Sequence, residues 1–481
     1  MNRHASARQM LDAESTHLLN PAVSPLLDGD GRAAAAIDER MPAAARAVIA
    51  LLERLRHGRL TLVTPAGRAL AFGAGEPHAT VRLANWNVFG ASLAKGDIGF
   101  AETYIAGDWS ADSLASVLRV LVANRDVIER AVYGSWWGGL LHRVRHLLNR
   151  NSRAGSRRNI HAHYDLGNPF YATWLDASMT YSSALYGDDP ARPLQDAQHA
   201  KYRRILDVLG LRPGARVLEI GCGWGGFAEM AARDGLHVTG LTLSTEQHAW
   251  ATRRLADAGL AERARFLLQD YRDEHGRYDA IVSIEMFEAV GEPYWDAYFA
   301  TVRRCLAPGG RAVVQTITID ESLFERYRRG TDFIQQYIFP GGMLPTKTVF
   351  AERAARAGLA VDERFDFGLD YARTLKAWRE SFVASLPRIA SQGFDARFAA
   401  GNWRSKTQAA GRGPRPVRPP ARRPRRPSQS GCPRRASPAK ASCAGSASAS
   451  TARSCGSAAR ACASIASRAR RSRSSCATRP R

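Results

Sequence analysis

The chain has 481 residues, 45% of them hydrophobic, and a formal net charge of +23 at pH 7. That length accommodates two or three domains with sizeable cores, which excludes a small disulfide-stapled scaffold. No apolar run approaches the roughly 18 residues of a membrane-spanning helix, and the opening MNRHASARQM lacks the apolar core of a secretory signal, so a cytoplasmic location is expected.

The charge is unevenly spread. Residues 404–481 hold 20 Lys and Arg and no Asp or Glu, whereas the rest carries 48 basic and 45 acidic residues. Five of the seven cysteines, Cys432, Cys443, Cys455, Cys462 and Cys476, also lie in this tail, which contains no aromatic residue after Trp403. The body is therefore nearly neutral, with Cys222 and Cys305 as its only cysteines.

In chain order, residues 1–40 are Ala-rich, polar and weakly periodic, and are predicted to be disordered. From Pro42 to Arg56, the residues Ala45, Val48, Ile49, Leu52 and Leu55 recur at helical spacing. The runs RLTLVT, RALAF and ATVRLAN then read as short strands, and GDIGFAETYIAGDWSADSLASVLRVLVAN as turns leading into a helix. Together they predict a small α+β domain over 41–125. Residues 126–158 form a basic amphipathic linker in which Trp136, Trp137, Leu140, Leu141, Val144, Leu147 and Leu148 make an apolar stripe beside clustered arginines. Such a helix either lies on an anionic lipid surface or packs on its own domain; the stripe alone does not choose.

From about 200 to 390, strands alternate with helices. ARVLEIGCGWGG is a strand and glycine loop, FAEMAARDG a helix, LHVTGLTLS a second strand and TEQHAWATRRLADAGL a second helix. ARFLLQDY and YDAIVSIEMF are further strands, YWDAYFATVRRCLAPGG a helix with a glycine stop, and RAVVQTITI a fifth strand. This alternation predicts an α/β fold with a doubly wound, mostly parallel sheet. The loop containing Glu219, Gly221, Gly223 and Gly225 follows a strand and opens a helix, where glycines permit a tight turn and close approach of a ligand. A dinucleotide site places an acid near the end of the second strand to hold the ribose. Here that strand ends Gly-Leu-Thr242-Leu243-Ser, without an acid, which favours S-adenosylmethionine over NAD.

The chain resembles the cyclopropane-fatty-acid synthase family of S-adenosylmethionine-dependent methyltransferases from about 45 to 400. The stretches that carry the likeness are IHAHYDLGNPFYATWLDASMTYSSALY, VLEIGCGWGGFAEMAA, VTGLTLSTEQ, QDYRD, YDAIVSIEMFEAVG, DFIQQYIFPGGMLP and FGLDYARTLKAW. The resemblance implies a class I methyltransferase domain over 159–403, preceded by a small domain like the lipid-binding one of the longer bacterial members. It implies cofactor contacts at Tyr181, Ser182, Glu219, Gly221, Gly223, Gly225, Thr242, Leu243, Gln247, Asp270 and Tyr271. In this reading Gln247 replaces the missing ribose acid, and Asp270 accepts from the adenine amino group.

The implied reaction is methyl transfer to the double bond of an unsaturated phospholipid acyl chain at a membrane surface, giving a cyclopropane or a methylene branch. It requires aromatic faces that tolerate a cation, for which Tyr181, Phe287, Tyr371 and Trp378 are candidates, and one base. In the family a Glu, here Glu288, helps hold a bicarbonate that acts as the base, together with a Cys, a His and a Tyr. Ser183 stands where Cys is usual and Gln315 where His is usual, while Tyr371 remains, so bicarbonate binding is in question here. Gln donates a hydrogen bond but carries no charge. His161, His163 and Asp165 lack a completing cluster and are read as part of a lid, with no metal expected. A homodimer is left open.

The family pattern stops near Phe398–Trp403. The basic low-complexity tail from 404 to 481 is predicted to be disordered, with no packed element; its composition is that of a GC-rich gene read in a shifted frame, rather than of a specific nucleic-acid binder. Such a tail predicts weak or absent activity. The alternatives are a small-molecule N- or C-methyltransferase of the same fold, or a catalytically impaired copy.

Overall fold

The computed structural model describes residues 41–132, 166–394 and 463–468. The Trp/Leu stripe at 136–148, the arginines after it, His161, His163, Asp165 and the 398–403 segment lie outside the described residues.

The first described part is built on a four-stranded sheet. Helix α1 (Ala43–Leu52) leads into β1 (Gly58–Val63), β2 (Ala69–Ala74) and β3 (His78–Leu83). Helices α2 (Asn87–Lys95) and α3 (Asp97–Ala106), strand β4 (Trp109–Ala111), and helices α4 (Leu114–Ala123) and α5 (Arg125–Val132) follow. The sheet order is β2-β1-β3-β4, with β1 antiparallel to β2 and parallel to β3. Alternation along β1 buries Leu60 and Leu62, and α1 turns Ala45, Ile49 and Leu52 inward. Asn124 ties the end of α4 to the start of the sheet: its Oδ1 accepts from the amides of Arg56 (2.7 Å) and His57 (3.1 Å).

The second sheet positions the site. Helix α6 (Asn168–Ala172) and α7 (Leu194–Leu209) precede β5 (Arg216–Ile220), α8 (Gly226–Arg233), β6 (His237–Thr242), α9 (Thr245–Asp257) and β7 (Ala264–Leu268). The chain then returns past β5 to β8 (Tyr278–Ile284), α10 (Trp295–Cys305) and β9 (Leu306–Thr316). Helices α11 (Glu321–Arg329), α12 (Phe333–Tyr337) and α13 (Lys347–Arg356) lead to β10 (Ala360–Asp366), α14 (Gly368–Ala384) and α15 (Leu386–Ser391). The order is β10-β11-β9-β8-β5-β6-β7, where β11 is Ala463–Arg468. Strands β7, β6, β5, β8 and β9 run parallel. Their order reverses between β5 and β8, and ligands of open α/β sheets bind outside the carboxyl ends of the strands at such a point. Both faces are covered, which is why β5 and β8 read as nearly continuous apolar runs.

Two expectations need correction. Helix α10 stops at Cys305, and the APGG stretch belongs to the start of β9 rather than to a glycine helix stop. The tail is also not wholly without packed structure. Residues Ala463–Arg468 form β11, antiparallel to both neighbours, with Ile465 opposite Val314 of β9 and Arg364 of β10. Pairing uses backbone groups, so a short Ala/Ser strand suffices to close two edges that would otherwise be open. Six residues with one large apolar side chain give too weak an alternation to stand out in a Ser/Arg-rich tract. Replacing Ile465 with Pro removes a ladder donor in an interior strand. Ile465→Pro is expected to lower the melting temperature by about 5 °C or more; an unchanged thermal melt shows the strand to be dispensable.

Candidate functional site

The loop after β5 opens a bare surface. Gly221 and Gly223 have φ of +82° and +52°, in the left-handed region. A Cβ on Gly223 would meet nothing within 4 Å, whereas one on Gly221 would lie 2.9 Å from Met286 Cγ. Gly225 caps α8. Glu219 is 2% exposed, and its Oε2 has no hydrogen-bond partner among the described residues. Burial pushes its carboxyl well above the usual range, opposed by the positive charge of Lys201. At the end of β6 the Thr242 hydroxyl donates to Gln247 Oε1 at 2.9 Å, Leu243 is half-buried, and Ser244 caps α9. Asp270 follows β7, and its two oxygens accept from Arg272 Nε (2.8 Å) and Nη2 (2.6 Å); Tyr271 packs against Tyr298. Thus the acid assigned to adenine already has a guanidinium partner. The open face at Gly223, the orphaned Glu219 oxygen and the row of polar groups along β5, β6 and β7 fit S-adenosylmethionine. Cys222 is buried, and its thiol pKa is pushed well up by burial and by Glu219, which makes it inert.

The segment 178–186 is gripped from two sides. From α7, Lys201 Nζ donates to Ser182 Oγ (2.6 Å) and Gln198 Nε2 to the Ser182 carbonyl (2.9 Å). Tyr202 and Thr180 share a hydroxyl contact of 2.8 Å. From α14, Thr374 Oγ1 accepts from the Ala184 amide and Asp370 Oδ2 from the Tyr186 amide. This fixes the Ser183 amide, which donates to Glu285 Oε1 at 2.8 Å. Gln315 Nε2 donates to the same oxygen at 2.9 Å, and the Glu285 amide donates to the Gln315 carbonyl at 2.8 Å. Ser183 and Gln315 thus do come together, but around a residue that the sequence reading passed over. Glu285 and Met179 are the non-glycine residues of positive φ among those described, at +48° and +54°, and both border this site. Such backbone conformations are stored at functional positions. The available signal was a second Glu, three residues before Glu288, directly after an apolar strand.

Glu288 accepts at Oε1 from the Thr316 hydroxyl (2.9 Å) and from the Ile317 amide. Its Oε2 is sealed from solvent and lacks a hydrogen-bond partner among the described residues. Burial first, and then the neighbouring charge of Glu285, raise its pKa to about 8, against the hydrogen bonds from Ile317 and Thr316. Tyr371 packs beside Phe367 and Ile317, next to the amide that holds Glu288. The aromatic candidates divide. Tyr181, Tyr371 and Trp378 belong to one cluster with Tyr171, Trp174 and Trp224, and Tyr181 lies 5.2 Å from Trp378. Phe287 is fully buried in another cluster, stacked on Trp295, and is a core residue rather than a face of the site.

Residues 151–408 match the family described as Mycolic acid cyclopropane synthetase. The chain belongs to this family. It is an S-adenosylmethionine-dependent methyltransferase with a class I sheet. It is 40% identical over 390 residues to Tuberculostearic acid methyltransferase UfaA1 of Mycobacterium tuberculosis, covering 78% of this chain and 90% of that protein. It is 37% identical over 331 residues to the Cyclopropane-fatty-acyl-phospholipid synthase of Escherichia coli, covering 68% of this chain and 82% of that one. The solved cyclopropane synthase MmaA2 from Mycobacterium tuberculosis aligns with a TM-score of 0.49 at 30% identity, covering 52% of this chain and 91% of that one.

Two outcomes follow from this geometry. Val at 223 fills the open face and strains a left-handed backbone, so Gly223→Val should abolish S-adenosylhomocysteine binding in calorimetry; equal affinity would place the cofactor elsewhere. For Glu288, the folded pKa of about 8 exceeds the unfolded value near 4.5. The folded state therefore binds the proton more tightly, and this contribution is full below pH ~4.5 and lost as pH rises through ~8. Gln cannot ionise, so the melting-temperature gap between Glu288→Gln and the parent should widen in favour of Gln between pH ~5 and ~8, and then level off.

Proposed function

We propose that the chain methylates the double bond of an unsaturated phospholipid acyl chain, yielding a cyclopropane or methylene-branched fatty acid. The observation that carries the reading is the aromatic cluster of Tyr181, Tyr371 and Trp378 flanking a carboxyl pair, beside the glycine loop. An alkene has no acidic heteroatom, so a site for it needs apolar and aromatic walls and an acceptor for a carbon-bound proton. Both are present.

S-adenosylmethionine supplies an electrophilic methyl group. The residues that would hold it are Glu219 and Gly221–Gly225 at its amino-acid end, Thr242, Leu243 and Gln247 at the ribose, and Asp270 and Tyr271 at the adenine; Tyr181 and Ser182 would complete its contacts. The buried rings of Tyr171, Trp174, Trp224 and Trp378 would exclude water that would otherwise quench an electron-deficient acyl carbon. Glu288, Gln315, Ser183 and Tyr371 form the polar end of the site. Glu288 places a sealed carboxyl next to Glu285, and Gln315 and Ser183 present their donors to Glu285. In this reading the 133–158 segment and the first sheet meet the membrane surface from the cytoplasmic side.

Mass spectrometry of phospholipids from cells expressing the chain tests the reading. Unsaturated acyl chains should gain the mass of one methylene group. Modification confined to a small-molecule amine would replace this function by the alternative one.

A further inference from the structure

Resting on that functional reading, we propose that the Glu285 carboxylate is itself the proton acceptor of the reaction, standing where a bound bicarbonate would otherwise sit. The donors suited to hold a small anion are already used. The Ser183 amide and Gln315 Nε2 both point at Glu285 Oε1, at 2.8 and 2.9 Å. Ser183 and Gln315 are buried, at 0% and 1% exposure, so these donors have no water to turn to. Bicarbonate would have to displace a tethered carboxylate and then sit beside two carboxyl groups, with only neutral donors to hold it. The residues present do not fit it.

The backbone points the same way. Glu285 adopts φ +48°, where glycine would be unstrained, and is only half-buried, so core packing does not demand a glutamate there. Its amide and its side chain both engage Gln315, whose amide nitrogen also lies 3.4 Å from the Ser183 carbonyl. An uncharged glutamine suits a site with a resident anion, because it orients the carboxylate without neutralising it. Glu288, three residues on, holds its own proton up to about pH 8 and does not compete as acceptor near neutrality.

The balance is simple. The alkene π pair forms a carbon–carbon bond to the donor methyl as the methyl–sulfur bond breaks. Sulfur becomes neutral, and the other alkene carbon becomes electron-deficient. Glu285 takes one proton from the transferred methyl. The released C–H pair closes a three-membered ring or, after a hydride has moved between the two alkene carbons, forms an exocyclic double bond. One proton leaves in either case, and no external base is consumed.

The test uses the full chain in carbon dioxide-free buffer. The parent should methylate lipid at the same rate with and without added bicarbonate, and Glu285→Gln should lose about 100-fold or more of that rate. Glu285→Gly relieves the backbone, should melt no lower than the parent, and vacates the two donors. Carbon-13 NMR of labelled bicarbonate should then show binding to Glu285→Gly but not to the parent, and added bicarbonate should restore part of its activity. Bicarbonate binding by the parent, a bicarbonate requirement of the parent, or near-parental activity in Glu285→Gln would each overturn the proposal. The NMR arm needs no acyl substrate. If the parent methylates no lipid, the functional reading fails while that arm still decides whether Glu285 fills the anion position.

Discussion

Two carboxyl groups three residues apart, in a site with little water, cannot both carry charge without donors to hold them. This constraint organises the polar end of the site. Glu285 is half-buried and receives the Ser183 amide and the Gln315 side chain, while Glu288, held at one oxygen by Thr316 and Ile317, has its other oxygen sealed, and burial beside Glu285 keeps its proton on to about pH 8. Sites that separate an acid from a base commonly do so by giving two carboxyls unequal surroundings. Here the inequality comes from backbone. Glu285 leaves the end of β8 with positive φ, which turns it towards Ser183 and Gln315, and Glu288 falls under the Thr316–Ile317 step.

That arrangement needs the 178–186 segment to stay in place, and the segment has no sheet partner of its own. It is held instead by side chains of α7 and α14. Lys201 has a second role. It is a buried cation close enough to oppose the burial of Glu219, so the residue that fixes Ser182 also bears on the carboxyl at the glycine loop. Further out, the Gln335 side chain of α12 donates to the Gly342 carbonyl at 3.1 Å, and the Met343 amide to the Glu288 carbonyl at 2.9 Å. Helix α12 in turn packs on Ile98 and Ala101 of α3. The first sheet is therefore joined to the carboxyl pair by a short series of contacts.

The parallel sheet and the glycine loop were legible because they rest on long apolar runs broken by glycines, which leave few alternatives. Glu288 stands out as a candidate from its place after an apolar strand. Glu285 does not. In SIEMFEAVG it reads as one more polar residue at a strand end, and only its backbone angle and its two donors single it out. Phe287 was misassigned for a related reason. Residues 285–288 leave a strand and enter a 3-10 turn, so the alternation that would sort their side chains between core and cleft no longer holds. Strand β11 escaped because a strand inserted between two others is specified by the edges it fills, more than by its own side chains.

Met286 joins these observations. It stands between Glu285 and the Phe287–Glu288 turn, and its Cγ lies only 2.9 Å from where a side chain on Gly221 would begin. The glycine at 221 therefore answers to the carboxyl pair as well as to a tight turn. Any side chain there would push Met286, and with it the backbone that sets the direction of both carboxyls. The glycine loop proposed to receive the methyl donor and the turn that carries the two carboxyls thus share one wall, a single methionine thick. For the proposed reaction, whose cationic intermediate must lose a proton before water reaches it, that shared wall would keep the methyl source and the proton acceptor in one fixed relation.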